Sequence, residues 1–288
     1  WATTSTLTTA TQAIELFTDS DYGLVAFNRV KMPTASGSSM CISIAGSSGC
    51  RVLGNDCEGS TVYQIEIHGD RNQCSQNTCR DAGDIAIAVP LTASIPASYN
   101  TVDRNEIIEP AGRGIVQDGG SGTGVGNAYT RNQVYDPGGK AIDVKRSSDE
   151  TIDDNRIWFL TVASDGITTE GDRSSVTRNR LTYDAGISSA AGYAISRPSG
   201  DECDIEDNRI WGNGKLLRGI NAASGNTETT IRRNRVKGTT EYCINQAGDS
   251  ATNIAEQNYG AASAGSVFTF ATNVRDSLNY NADTDTYA

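Results

Sequence analysis

The stretch Thr151-Ile-Asp-Asp-Asn-Arg-Ile-Trp158 decides the fold, because its pattern returns along the whole chain. The pattern is an apolar residue, two others, an asparagine, one residue and a second apolar residue. Its asparagine column reads Asn28, Asn55, Asn77, Asn105, Asn132, Asn155, Asn179, Asn208, Asn234 and Asn258, at intervals of 22–29 residues. Val25, Val52, Cys74, Val102, Ile152, Val176, Ile205 and Ile231 stand three positions before their asparagines, and Val30, Cys57, Cys79, Ile107, Val134, Ile157, Leu181, Ile210 and Val236 two positions after. At Gly260 the column fails.

A second motif lies between successive asparagines: Ile42-Ser-Ile44, Ile65-Glu-Ile67, Ile85-Ala-Ile87, Ile142-Asp-Val144, Ile195-Ser-Arg197 and their equivalents. Alternation with period two is a strand signal, with isoleucine inward and its neighbour outward. Each repeat then carries three short strands, the first at Ile-x-Ile, the second before the asparagine and the third after it. One repeat cannot bury its apolar side alone, so repeats stack. Stacked turns form parallel ladders about 4.8 Å apart. Asparagine suits the corner, since it tolerates a left-handed backbone and its amide can bond the asparagine of the next turn. Leucine-rich repeats would need far more Leu, and propeller blades a period of about 40 residues. The expected fold is all-β, a right-handed parallel β-helix of about ten coils over residues 1–260. The expected tail, 261–288, breaks the repeat and caps the tube or pairs with another chain.

The runs Asn105-Glu-Ile107, Asp154-Asn-Arg-Ile157, Asp207-Asn-Arg-Ile210 and Arg233-Asn-Arg-Val236, with Gly-Ile strands between them, resemble the pectate-lyase-like right-handed parallel β-helix superfamily. The resemblance covers residues 12–260. It implies a stacked parallel β-helix, and a function among polysaccharide lyases, glycoside hydrolases, uronan epimerases and phage tailspikes.

Composition narrows the partners. The 288 residues carry a net charge of −11, with 37% hydrophobic residues and 30 glycines. An acidic chain argues against nucleic acid, and no stretch approaches the roughly 20 apolar residues of a membrane span. Seven cysteines in a Ser/Thr-rich acidic chain lean extracellular, cell-surface or virion. Cys57 and Cys79 share an inward column on adjacent turns, as a thiol stack or a disulfide. The first residue is Trp1, with no leader pattern after it, and the first coil begins near Ile14 without a capping helix. A naked end exposes strand edges, so the expectation is a homo-oligomer or part of a larger chain. The loop Gly119–Gly126 lacks the helix and Gly-Lys-Ser/Thr of a phosphate loop.

Outward columns hold the candidate chemistry. Asp118, Lys145 and Glu170 fall at one position on three successive turns, with Asp143 beside Lys145 and Arg146 and Arg173 just beyond. Such carboxylates could serve acid–base work on a glycosidic bond. Lys145 with Arg146 could neutralise a substrate carboxylate while a base removes the neighbouring proton. The competing reading is a cross-strand ion ladder. His68, the chain's one histidine, lies outward as a sugar contact or a plain strand residue; a lone His makes no His-rich metal site. Arg156, Arg180, Arg209 and Arg235 follow the asparagines of four turns, either bracing the corner with Asp153, Asp154, Glu206 and Asp207 or offering a stripe to sulfate or uronate groups. Trp158 and Trp211 share a column two turns apart and could stack on sugar rings. No cofactor is expected; calcium has no loop with regular ligand spacing. Two functions compete: a polysaccharide-acting or polysaccharide-binding domain, and a non-catalytic spike, fibre or adhesion rod.

Overall fold

A computed structural model describes residues 11–32, 39–93, 95, 97–118, 122–248, 250–282 and 286–287. The Ser/Thr-rich residues before Thr11, residues 119–121 of the glycine loop and residues 94 and 96 of the loop before it lie outside that set. The chain divides into two compact units, Trp1–Arg146 and Ser147–Ala288. Each is a β-solenoid stack of short parallel strands, about ten turns in all, with no helix among the described residues.

The second strands show the register most simply. In the first unit Leu24–Ala26, Arg51–Leu53, Gln73–Ser75, Thr101–Asp103 and Ala128–Thr130 pair in parallel, with Val25, Val52, Cys74, Val102 and Tyr129 in file. In the second unit Ile152, Val176, Ile205, Ile231 and Ala255 are in file in the same way. These residues are buried, as are Ile107, Val134, Ile157, Leu181, Ile210 and Val236 on the third strands. Burial of one such side chain contributes about 2 kcal/mol, so the periodic columns supply the hydrophobic stabilisation.

The asparagine column forms a continuous ladder within each unit. Asn55 Nδ2 donates to Asn77 Oδ1 at 2.9 Å, and Asn77 and Asn105 repeat the bond at 3.0 Å each. In the second unit Asn155, Asn179, Asn208 and Asn234 do the same. Each acceptor also takes the backbone N–H of the preceding asparagine, as Asn208 takes that of Asn179 at 3.0 Å. The second donor of the amide reaches back to a carbonyl, Asn208 Nδ2 to Val176 O at 2.9 Å. The buried corner is thereby fully bonded, as buried amides require.

The left-handed residue is not the asparagine but the one before it. Phe27, Gln76, Arg104, Arg131, Asp154, Arg178, Asp207, Arg233 and Gln257 have φ between 50° and 56°. Each conformation costs on the order of 1 kcal/mol. The stack offsets it: the backbone N–H of Arg104 donates to Thr130 O, and that of Arg178 to Glu206 O. Gly54 takes the same place at φ 63°, where a Cβ would lie 2.7 Å from the ring of Phe27.

Three details depart from the sequence reading. The strand Ile85–Pro90 sits two residues out of the expected register: Ile87, not Ile85, pairs with Ile65 and Ile115. The outward residue is therefore Ala88, and Pro90 pairs with Asp118. The repeat also continues past Ala261. Ser266–Phe270 pairs with the preceding first strand, Arg275–Ser277 with the preceding second strand, and Asn258 Nδ2 donates to Asn279 Oδ1 at 3.0 Å. Gly260 keeps its column, pairing with Val236, and is glycine because a Cβ would stand 2.2 Å from Val267 Cγ1. Finally, the outward positions are not all open, since Ser43, Ala88, Val116, Asp143, Thr168 and Ser196 are buried too.

Cys57 and Cys79 are register partners, as expected, and both are free thiols. Burial pushes the Cys79 thiol well above its ordinary value, and a hydrogen bond with Cys41 together with burial does the same to Cys57. Asn208→Ala would strand two buried backbone groups, Asn179 N–H and Val176 C=O, and remove a bond from each of two neighbouring amides, Asn179 and Asn234. Its expected cost is about 3 kcal/mol, read as a lower urea midpoint with an unchanged slope.

Candidate functional site

The acid–lysine row is partly assembled in the first unit. Asp143 lies on Ile142–Ser148 with only 2% of its side chain exposed. Three cations converge on it: Arg113 Nη1 at 3.3 Å, Lys140 Nζ at 3.2 Å and Lys145 Nζ at 3.7 Å. Lys145 also reaches Asp118 Oδ2 at 3.4 Å. A carboxylate taken out of water needs such partners, and Arg113 and Lys140 were not anticipated. Arg113 comes from outside the strand repeat, so no column contains it. Asp118, Arg113, Tyr63, Pro90 and Val116 line a cavity of about 140 Å³. That is below the roughly 300 Å³ at which ligand pockets begin.

The other members of the row have separate settings. Glu170 stands in the second unit on Ile167–Asp172, opposite Ser199 across a shift in register. Arg173 is held by Asp149, with Nε–Oδ1 at 2.7 Å and Nη2–Oδ2 at 3.0 Å. Arg146 is exposed at φ 52°. His68 Nε2 lies 3.3 Å from Thr92 Oγ1. Among the described residues no group of three or more His, Cys, Asp or Glu could hold a metal ion.

The arginine stripe is complete, and it lies within the second unit. Arg156, Arg180, Arg209 and Arg235 are direct register partners on successive third strands, and all four are exposed. Adjacent rungs stand about 4.8 Å apart, so like charges face one another, which is unfavourable without an anion between them. Of the four acids near this corner, three are committed elsewhere, and Asp154 makes no ion pair among the described residues. Asp207 and Glu206 hold Arg233, at 2.9 and 2.6 Å, Glu206 also holds Arg232, and Asp153 holds Arg178. Among the described residues Arg156, Arg180 and Arg209 make no ion pair, while Arg235 lies 4.9 Å over the ring of Tyr259. The bracing expected of the whole corner thus falls to the column before the asparagine, and the column after it keeps its charge. Arg178, Arg180, Arg209, Arg233 and Arg235, with Asp154 and Asp207, line an open groove of about 420 Å³.

The two tryptophans share this sheet face. Trp158 pairs with Thr182, and Thr182 with Trp211, so the indoles are two rungs apart, on the order of 10 Å. Both are half-buried. The repeat alone therefore places arginines and aromatics in adjacent files.

The profile of the right-handed beta helix region matches residues 94–259, more than half of the chain, and the chain belongs to that family. No curated protein matches the sequence. Among solved structures, the DFA-IIIase of Arthrobacter chlorophenolicus A6, without its lid and in complex with GF2, shares 14% identity at a TM-score of 0.52, over 90% of this chain and 72% of that one. The catalytic unit of the thermostable GH87 α-1,3-glucanase from Streptomyces thermodiastaticus strain HF3-3 shares 11% at 0.53, over 92% and 65%. Another structure, named only as a glycoside hydrolase, is 12% identical at 0.47, and this chain, covered over 82%, spans 38% of its length. At these identities the likeness establishes the fold. No helix among the described residues is long and apolar enough to cross a membrane.

The ion pairs predict an acid limit. Hydrogen bonds from Arg173 and Arg233 hold the Asp149 and Asp207 carboxyls below their ordinary value. Carboxyls depressed in the folded state contribute stability that is complete above the unfolded value of about 3.9 and is lost as pH falls through the folded one. Urea midpoints should fall below about pH 4, and Asp207→Asn should flatten that fall without moving the midpoint trend between pH 5 and 7.

Proposed function

We propose that this chain is an extracellular carbohydrate-binding β-helix that holds an anionic glycan against the arginine–tryptophan face of its second unit. One observation carries the reading: Arg156, Arg180 and Arg209 stand in register on adjacent strands with no carboxylate partner among the described residues, in a chain of net charge −11. Charge of that density is stabilised by anions spaced along the stack, and guanidinium forks suit carboxylate and sulfate groups. Trp158 and Trp211 add flat apolar surface beside the charge, which sugar rings need and inorganic ions do not. A glycan lying along the stack would meet one arginine on every rung.

The test is direct binding to sulfated and uronate oligosaccharides. Arg180→Gln with Arg209→Gln should weaken affinity about tenfold at low salt, the scale of one to two charge-assisted contacts, and should shrink its salt dependence. A folded double variant that binds every anionic oligosaccharide as tightly as the parent would exclude this face.

Cleavage of a bound glycan is a second reading, favoured by the placement of Lys145 between Asp118 and Asp143, at 3.4 and 3.7 Å. Lys145 would set a positive charge, and the half-exposed Asp118 a proton acceptor, at one point of the first-strand face. Release of oligosaccharides should then disappear in Lys145→Ala while binding persists; equal release from parent and variant would remove Lys145 from the chemistry.

A further inference from the structure

The first-strand face of the second unit carries a side-chain cluster that neither column of candidate residues contains. Tyr193, Arg218 and Tyr242 are register partners on three successive turns. The Arg218 guanidinium lies 4.9 Å from the ring centre of Tyr193 and 6.0 Å from that of Tyr242. Its Nη1 donates to Tyr193 Oη at 2.6 Å, and its Nε is ion-paired with Glu241. One residue after the anchors Ile195, Ile220, Ile244 and Phe268, a second file runs Ser196, Asn221, Asn245 and Thr269 on the same strands.

The two files are joined. Asn221 Oδ1 accepts from Tyr242 Oη at 2.9 Å and from Asn245 Nδ2 at 2.8 Å. Both amides are thereby fixed in orientation, with Asn245 Oδ1 left as an acceptor among the described residues. Arg218 occupies one side of the Tyr242 ring. On the other side, the register partner of Tyr242 is Ser266, an exposed and small residue, and the partner of Asn245 is Thr269, also exposed. Among the described residues the half-buried ring thus has Arg218 on one side and only the small Ser266 as its register partner on the other, next to an oriented amide and a hydroxyl.

We propose that this step is a binding site for an uncharged sugar ring, a neutral hexose or hexosamine unit of a glycan. The ring would stack on the Tyr242 face above Ser266, and its hydroxyls would meet Asn245 Oδ1 and the Thr269 hydroxyl. Hydroxyl groups both donate and accept, and so match an acceptor paired with a hydroxyl. An apolar sugar face suits an uncovered aromatic plane. Arg218 does not call for an anion here, because Glu241 already neutralises it. The site is independent of the arginine–tryptophan face: it lies on the first strands rather than the third, and its ligand carries no charge.

Calorimetric titration of the whole chain with neutral oligosaccharides tests the assignment. The parent should bind at least one of them with an affinity that does not change between low and high salt, unlike binding at the arginine face. Ser266→Tyr continues the aromatic file over the open ring and should lower that affinity about tenfold, the scale of one aromatic stacking contact. Tyr242→Phe, which keeps the ring but removes the hydroxyl that helps orient the Asn221–Asn245 amide pair, should lower it severalfold. Melting temperature serves as the fold control. Absence of neutral-sugar binding by the parent, or full affinity in a folded Ser266→Tyr variant, overturns the proposal.

Discussion

The amide bond passed from one buried asparagine to the next is the interaction on which the rest depends. A corner made of one left-handed residue and one asparagine turns the chain sharply inside a region closed to water. Its N–H and C=O groups have no solvent, so the asparagine side chain must bond them. One amide does three things: it donates to the amide of the following turn, donates back to a carbonyl, and accepts a backbone N–H from the turn before, as Asn208 does. A second series, not read from the sequence, works at the start of the second strands, where Asn100 Oδ1 accepts from the backbone of Asn72 at 2.8 Å and Asn127 Oδ1 from that of Asn100 at 2.7 Å.

Once each corner is locked to the next, every outward position acquires a neighbour one rung away. That constraint produces the chemistry of the surface. Like residues at like positions become a continuous array, whether of guanidiniums, aromatics or amides. Four arginines in file would be a liability in an isolated fold. The neighbouring acids could relieve it, yet Asp153, Glu206 and Asp207 bond the arginines of an adjacent column instead. Ion pairing is therefore concentrated in one column, and the column two residues away keeps its charge.

The same logic separates the legible from the illegible parts of the sites. The arginine and tryptophan files follow from spacing alone, because each member keeps a fixed distance from its asparagine. Asp143 and Lys145 are also readable as outward neighbours, but the burial of Asp143 is not, since Arg113 and Lys140 belong to no repeat. The Tyr193–Arg218–Tyr242 sandwich was missed for a related reason: irregular pairing precedes those first strands, with register shifts between Trp211 and Arg218. Spacing counted from an asparagine fails across such a shift.

What the sequence determined by itself was the periodic scaffold: parallel turns, an asparagine corner and the columns of buried isoleucine and valine, all of which are encoded in local spacing. It also set which residues share a file on the third strands. Tertiary structure decided the rest. At Ile85-Ala-Ile87 two isoleucines satisfy period two equally well, and only pairing with Ile65 and Ile115 selects Ile87. At Gly260 only the neighbouring Val267 shows why the column carries no side chain. Spacing names the neighbours, whereas competition among nearby side chains for one partner decides which charges are neutralised and which stay available.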